Sequence, residues 1–367
     1  MFRLGREYIL KIWRPQAAIS LFFIMSYGLP LLRHFFRMKK ILLLQTAFIG
    51  DVILATAAVE RLHAVFPEAR IDFLLRKGNE GLLQGHPFLH EVLVWDKNAG
   101  KYRNLRRLLR RIRSEKYDLA VNFQRFMASG FLTALSGARH RAGFDKNPLS
   151  FAFTHRAAHM IGTPEHPIHE VDRNHALIEP WVGTGPGRPR LYPGPEDRKT
   201  VPGPGTYICM APTSVWFTKQ WPSERWVELI GLLPSGLAII LLGGPSDREA
   251  CERIKTAAVH PDVRNMSGRL SFLESAAWME GARMNYVNDS APLHMASAMN
   301  APVTAIFCST IPAFGFTPLS DRSVVVETPL SLPCRPCGLH GKAACPEGHF
   351  RCAEIPAFLL TLPLSEK

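Results

Sequence analysis

Paired cysteine is scarce in this chain. It has seven cysteines, an odd number, and no framework of the kind a small secreted protein uses for its disulfides. A reducing cytoplasmic setting is therefore expected. Cys209, Cys251 and Cys308 lie in or beside apolar stretches, where buried, inert thiols are expected. Repeats at solenoid spacing are absent, which excludes an array architecture. Acid is in short supply: 44 Lys and Arg face 31 Asp and Glu, for a net charge of +13. An anionic partner is implied, whether nucleic acid, a lipid surface or a phosphorylated substrate. No nucleic-acid-binding signature accompanies the charge, so no nucleic-acid partner is expected. The apolar stretch from Ala17 to Leu32 runs only 16 residues and contains Pro30. A membrane span needs about 20. It lacks a cleavage site and so does not read as a secretory signal.

Residues 1–37 thus have two open readings. They are a membrane-surface segment, with Arg3, Arg6, Lys11, Arg14, Arg33 and Arg37 facing lipid phosphates, or they lie outside the natural fold and Met38 is the start. The chain as a whole is 47% hydrophobic and 20% charged, a globular composition, and is long enough for two domains. Buried parallel strands are expected at Lys39–Gln45, Ile71–Leu75, Glu91–Trp95 and Leu119–Phe123, with a helix at Val52–Phe66. The stretch 183–205, rich in Pro and Gly, reads as a linker. Beyond it the alternation resumes, with strands at Tyr207–Ala211, Leu237–Leu242, Met284–Val287 and Val303–Phe307. Helices are expected at Ser223–Leu233, Arg248–Ala258, Ser271–Gly281 and Pro292–Met299. The expected organisation is α/β: Rossmann-like domains over 38–182 and 206–367, a linker at 183–205, and a ligand cleft where strand carboxyl ends face one another.

Six segments carry candidate chemistry. In "QTAFIGDVILATAAVERL", Asp51 follows Gly50 at a helix entry, as a helix cap or as a general base. In "APTSVWFTKQW", Thr213, Ser214, Thr218 and Lys219 follow a strand and suit a phosphate, or form a plain polar loop. "LLGGPSDREACERI" offers Gly243 and Gly244 but not a full dinucleotide fingerprint, so no NAD is implied. In "VNDSAPLHMASAM", Asp289 and Ser290 precede a helix whose start suits a diphosphate, with His294 in its first turn. The competing reading is a helix cap and a core histidine. Cys334, Cys337, Cys345 and Cys352 are spaced C-x2-C-x7-C-x6-C, with His340 and His349 between, which allows a structural metal or a loop of reduced thiols. Finally, Arg103, Arg106, Arg107, Arg110, Arg111 and Arg113 form either a solvated helix face or a surface for anionic lipid, and Arg125 follows a strand, where it suits an acceptor phosphate or carboxylate.

Together and in this order, the motifs from about Met38 to Cys352 resemble glycosyltransferase family 9, the lipopolysaccharide heptosyltransferases. The resemblance implies a GT-B fold whose first domain takes the acceptor and whose second binds ADP-heptose. It implies inverting transfer without a metal or other cofactor. Asp51 is similar to the family's catalytic carboxylate. Thr213, Ser214 and Lys219 are similar to its donor-phosphate loop, and Glu249 lies near its nucleoside-contacting acid. Asp289, Ser290, Ala291, Leu293 and His294 resemble its Asp-Ser/Thr-Gly-x-x-His segment, with Ala291 in place of the usual Gly. The cysteine-rich tail is similar to that of the heptosyltransferase II branch. The implied partners are ADP-heptose or a related nucleotide-sugar, an anionic glycolipid acceptor and the inner face of the cytoplasmic membrane, to which a cytoplasmic enzyme binds peripherally. The alternatives are transfer from another nucleotide-sugar or to another envelope glycan, and a non-catalytic nucleotide-sugar-binding protein at the membrane surface.

Overall fold

The structure is a computed structural model that describes residues 38–97 and 100–361. The N-terminal segment 1–37, and with it the expected membrane-surface role, lies outside the described residues. Among the described residues, no helix is long and apolar enough to cross a membrane. The described chain divides into two compact units, one of residues 38–162 and 168–192, the other of 193–361 with Thr163–Pro167.

The first unit is built on strands β1 (Lys40–Leu44), β2 (Arg70–Arg76), β3 (Leu89–Trp95), β4 (Leu119–Asn122), β5 (His140–Phe144) and β6 (His155–Ala157). Its helices are α1 (Ile49–Val65), α2 (Lys101–Glu115), α3 (Met127–Ala134), α4 (Glu170–Ala176) and α5 (Glu179–Val182). The strands lie parallel in the order β3-β2-β1-β4-β5-β6. β1 sits in the middle because "ILLL" is apolar at every position, which suits a strand covered on both faces. The edges differ. β5 and β6 carry His140, Arg141, His155 and Arg156 and are only partly buried, so no continuous apolar run marks them in the sequence. That is why neither was expected.

α1 is also apolar on most of its circumference and is covered by more than the sheet. The first half of the Pro/Gly-rich stretch lies along it. Arg61 donates to the carbonyls of Val182 (2.6 Å) and Thr184 (3.1 Å), and the Arg190 N–H donates to Thr56 Oγ1 at 2.9 Å. Gly187 touches the helix so closely that a Cβ would run into the Ala57 carbonyl. The chain passes from one unit to the other at Tyr192/Pro193.

The second unit repeats the pattern with β7 (Tyr207–Ala211), β8 (Ala238–Leu241), β9 (Val263–Asn265), β10 (Met284–Asn288), β11 (Val303–Phe307) and β12 (Ser323–Glu327). Its helices are α6 (Ser223–Leu232), α7 (Arg248–Ala257), α8 (Phe272–Gly281) and α9 (Ala291–Ala298). The order β12-β11-β10-β7-β8-β9 is again all parallel. Counted from each unit's own first strand, the two orders are the same. In both, the first and fourth strands are neighbours, and the crossovers leave them on opposite sides. That is the topological switch point, outside whose carboxyl ends open α/β sheets bind ligands. α8 begins on a capping box: the Glu274 N–H donates to Ser271 Oγ (3.1 Å) and the Ser271 N–H to Glu274 Oε2 (2.6 Å).

Candidate active site

At the switch point of the first unit, β1 runs out through Gln45, Thr46 and Ala47 into α1. The helix is capped by Phe48, so Asp51 is its third residue, half-buried, with its charge in the dipole-favoured first turn. Asp51 is not the cap residue. Beside it, Thr46 is buried and donates to Gln124 Oε1 at 2.8 Å, joining the ends of β1 and β4. Lys97, just past β3, donates to Thr46 Oγ1 at 3.2 Å and stands 4.6 Å from the centre of the Trp95 ring. Arg125, three residues past β4, is exposed. Its charge reaches His159 and Glu170. Burial, helped by Arg125 and Arg173, lowers the His159 imidazole to about 4, so the ring is neutral at pH 7. Burial raises the Glu170 carboxyl above its ordinary value, although Arg173 pairs with it at 2.6 Å. This end of the sheet therefore combines a half-buried carboxylate with a cationic corner.

The carboxyl ends of β7 and β10 are built differently. Asn288 fastens them together: its Oδ1 accepts from the Trp221 N–H (3.0 Å) and its Nδ2 donates to the Pro212 carbonyl (2.9 Å). The next residue, Asp289, is buried, and Lys219 Nζ lies 2.7 Å from its Oδ2. Thr310, past β11, donates its hydroxyl to the same oxygen at 2.6 Å. The pair is nearly dry, with side-chain exposures of 13% for Lys219 and 4% for Asp289. Such a pair is costly to bury unless its geometry is closed by further hydrogen bonds, as it is here. The Asp289 carboxylate is thus committed to Lys219 and does not cap α9. Ser290 is the cap residue, and Pro292 lies in the first turn. Thr213 and Ser214 are partly exposed in the loop before Lys219. Gln220 Nε2 donates to the Ser214 carbonyl at 2.7 Å and shapes that loop. His294 is buried in α9, its ring centre 6.0 Å from that of Phe316. Leu293 is fully buried, so its side chain belongs to the core behind the loop. Ala291 is partly exposed at the helix start.

Further along the same sheet, a cavity of about 900 Å³ opens between the start of α7 and the end of β9. Its lining includes Glu249, Glu252, Asn265, Met266 and Arg269. Glu249 is exposed and pairs with Arg253 at 2.6 Å. Gly243 lies at its turn because a Cβ there would meet the Asp247 side chain, whose Oδ2 accepts from the Gly244 N–H at 2.7 Å.

A family model for glycosyltransferase family 9 (heptosyltransferase) matches residues 105–344. The chain belongs to this family. Its fold and its class of activity, glycosyl transfer, are those that the order of motifs implied. Among curated relatives of this family 9 enzyme, the lipopolysaccharide heptosyltransferase 1 of Pseudomonas aeruginosa is 29% identical over 326 residues, covering 81% of this chain and 86% of the relative. Among solved structures, the Escherichia coli ADP-heptose lps heptosyltransferase II superposes with a TM-score of 0.70 at 20% identity, over 89% of this chain and 97% of that one. The E. coli heptosyltransferase WaaC with ADP gives 0.63 at 20% identity, over 78% and 93%.

For this family 9 transferase, sequence reasoning missed Thr310, Asn288, Lys97 and the cavity residues Met266 and Arg269. The last two follow β9, a three-residue strand that was not expected. An Asn-Asp pair at a strand end was the one available signal for Asn288. Of the expected metal candidates, the four tail cysteines hold no disulfide. Among the described residues, the group whose possible metal-ligand atoms all lie within 4.8 Å is Asp72, His90 and Glu91. Those atoms are already engaged. Tyr117 OH donates to Asp72 Oδ2 at 2.6 Å, His90 Nδ1 meets Asp72 Oδ1 at 3.0 Å, and Arg111 holds both oxygens of Glu91. It is a hydrogen-bonded ion network in the first unit.

Proposed function

We propose that this family 9 transferase moves a heptosyl group from ADP-heptose to an inner-core lipopolysaccharide acceptor, with inversion at the anomeric carbon. The observation that carries the reading is the Lys219–Asp289–Thr310 cluster at the second switch point, beside the start of α9. Asp289 holds the Lys219 ammonium in place, and the free N–H groups of the helix start point the same way as the positive end of its dipole. A diphosphate is the ligand such a site suits. Thr213, Ser214, Ser290, the Ala291 backbone and His294 surround it. Glu249 and the 900 Å³ cavity accept the nucleoside.

Asp51 is the base in this mechanism. Its carboxylate takes the proton from an acceptor hydroxyl as that oxygen bonds to the anomeric carbon from the face opposite ADP. The bond from that carbon to the diphosphate oxygen breaks, and ADP leaves with the electron pair. Lys219 and the α9 amides stabilise the charge that develops on the leaving group. Arg125 holds an anionic group of the acceptor. The exposed arginines of α2, among them Arg103, Arg106, Arg110 and Arg113, draw the enzyme to anionic lipid at the inner face of the cytoplasmic membrane. Residues 38–182 would serve the acceptor and 206–367 the donor. The deciding experiment is transfer from ADP-heptose by Asp51→Asn: loss of turnover with ADP affinity retained supports the reading, and retained turnover sinks it.

A further inference from the structure

The segment 328–350, between β12 and the short turn at Arg351–Ala353, contains 23 residues without helix or strand. Loops that long inside a compact unit are uncommon and need a reason to hold one conformation. Apolar burial is not the reason. Thr328 and Gly341 are the buried residues of the segment, and Leu332 and Phe350 only brush the core. Ordering such a stretch costs conformational entropy that burial on this scale does not return. No disulfide is present.

The segment does hold a defined course. Cys337 N–H donates to the Ser309 carbonyl at 3.2 Å. The Arg335 guanidinium donates to the carbonyls of Cys308 (2.6 Å) and Thr310 (2.7 Å). Lys342 and Thr218 bond in both directions, Lys342 N–H to Thr218 Oγ1 at 2.8 Å and Thr218 N–H to the Lys342 carbonyl at 3.1 Å. Gly341 lies flat on Trp216 and on the Lys219 stem, where a Cβ would clash. The tail is laid over the loop that carries Lys219.

Four thiols punctuate this course. Cys334, Cys337 and Cys345 are partly exposed, and Cys352 is buried. Cys352 interacts electrostatically with Cys334, Cys337 and Cys345, and Cys337 with Cys334 and Cys345. His349 accepts from the Arg351 N–H through Nδ1 (3.0 Å), which leaves the ring proton on Nε2. That nitrogen lies 3.8 Å from the Cys334 sulfur. It is therefore placed to donate to a thiolate and not to bind a metal itself. Arg335, which also pairs with Glu327 at 2.5 Å, and Lys342 add positive charge nearby, and Glu347 adds negative charge.

We infer that Cys334, Cys337, Cys345 and Cys352 form a four-thiolate zinc site that fastens the tail over the Lys219 loop. Four sulfurs and no oxygen ligand select a soft tetrahedral cation. Binding releases four protons and leaves a site of charge −2, which Arg335, Lys342 and the His349 N–H offset. No three of these thiols lie within 4.8 Å of one another in the structure, so metal binding would have to draw the sulfurs together. The role is structural: the metal positions the loop and takes no part in transfer.

The test uses the full chain, reduced and stripped with a chelator, with cobalt(II) as probe. One equivalent should bind with a thiolate-to-cobalt charge-transfer band and intense tetrahedral d–d bands, and zinc(II) should displace it. Cys345→Ser should lose the bands, and Cys251→Ser, in a buried helix position elsewhere, should keep them. Thiol titration of the unmutated chain gives an independent readout: Cys334, Cys337 and Cys345 should react at least tenfold more slowly with zinc than without. Removing zinc should also speed hydrogen exchange at the Thr218 and Lys342 amides and leave the first unit unchanged. No cobalt uptake, uptake unaltered in Cys345→Ser, or disulfides among the four cysteines in the purified chain would overturn the site. Exchange at Thr218 and Lys342 that ignores zinc would overturn its fastening role. None of the three readouts involves nucleotide, so failure here is separate from failure of the donor reading.

Discussion

The two units share a strand order and differ in how they finish it. At the first switch point the carboxylate Asp51 is half-buried in a helix turn, on a sheet end that also carries a neutral His159 and an exposed Arg125. At the second, a carboxylate is buried and committed to Lys219 and Thr310. The first arrangement combines a half-buried carboxylate with an exposed guanidinium, as the proposed acceptor side requires. The second is preorganised, with its charges fixed before any ligand arrives. The scaffold supplies the place, and the loops after the strands supply the chemistry.

Asp51→Asn puts this division of labour under the heaviest strain. Loss of a general base costs roughly 10²–10⁴-fold in turnover. We expect a fall at the upper end of that range, with ADP affinity by calorimetry unchanged. If Asp51→Asn weakened ADP binding instead, the contrast between the units would fail.

Lys219→Ala should act in the opposite manner. It strands Asp289 in a buried site, and breaking such a pair costs about 3–5 kcal/mol of stability. Urea unfolding should show that loss together with lost ADP binding. The double variant Lys219→Met with Asp289→Leu should recover stability but not ADP binding. Recovery of both would show that the pair is structural only.

Acid should find the first unit before the second. His86 is buried near Glu60 and Tyr192, and burial lowers it to about 4. Below pH 6.5 the unfolded chain takes up a proton that folded His86 refuses until about pH 4. Stability is therefore full above pH 6.5 and falls as pH drops through that window, by about 2 kcal/mol at pH 5 for this one group. His86→Asn should flatten the pH dependence of the urea midpoint. An unchanged slope would remove His86 as the cause.

Smaller effects separate donor from acceptor. Glu249→Ala should raise the KM for the nucleotide-sugar about tenfold, the size expected for one hydrogen bond to a charged group. Stability should not move, because Glu249 is exposed. Arg125→Ala should raise the acceptor KM only several-fold, since an exposed ion pair contributes roughly 1 kcal/mol or less. If Arg125→Ala raised the donor KM instead, the assignment of that corner to the acceptor would be wrong.

Much of the architecture was legible from residues alone. The central strands β1, β4, β7, β10 and β11 announce themselves, because a strand covered on both faces is largely apolar, even where buried polar residues such as Asn122, Asn285 and Thr304 interrupt the run. β5, β6, β9 and β12 do not. They are edge or near-edge strands, short and partly exposed, and polar residues are tolerated there. The candidate site divides along the same line. Asp51, Lys219 and Asp289 could be nominated because each sits between a strand signal and a helix signal. Thr310 could not, because its importance rests on the distant oxygen it touches.

Local sequence was enough to set the alternation of strand and helix, the excess of positive charge, and a carboxylate or hydroxyl at the turns after β1, β7 and β10. Those properties follow from periodicity and from what a buried strand will accept. Tertiary structure decided the rest. It brought Lys219 and Asp289 together across 70 positions because β7 and β10 are neighbours only in the folded sheet. It tied the Asp289 carboxylate into an ion pair instead of a helix cap, and it turned Leu293 into the core. It also laid the cysteine tail on Thr218. Each of these depends on strand order, and strand order is not written in any local stretch of chain.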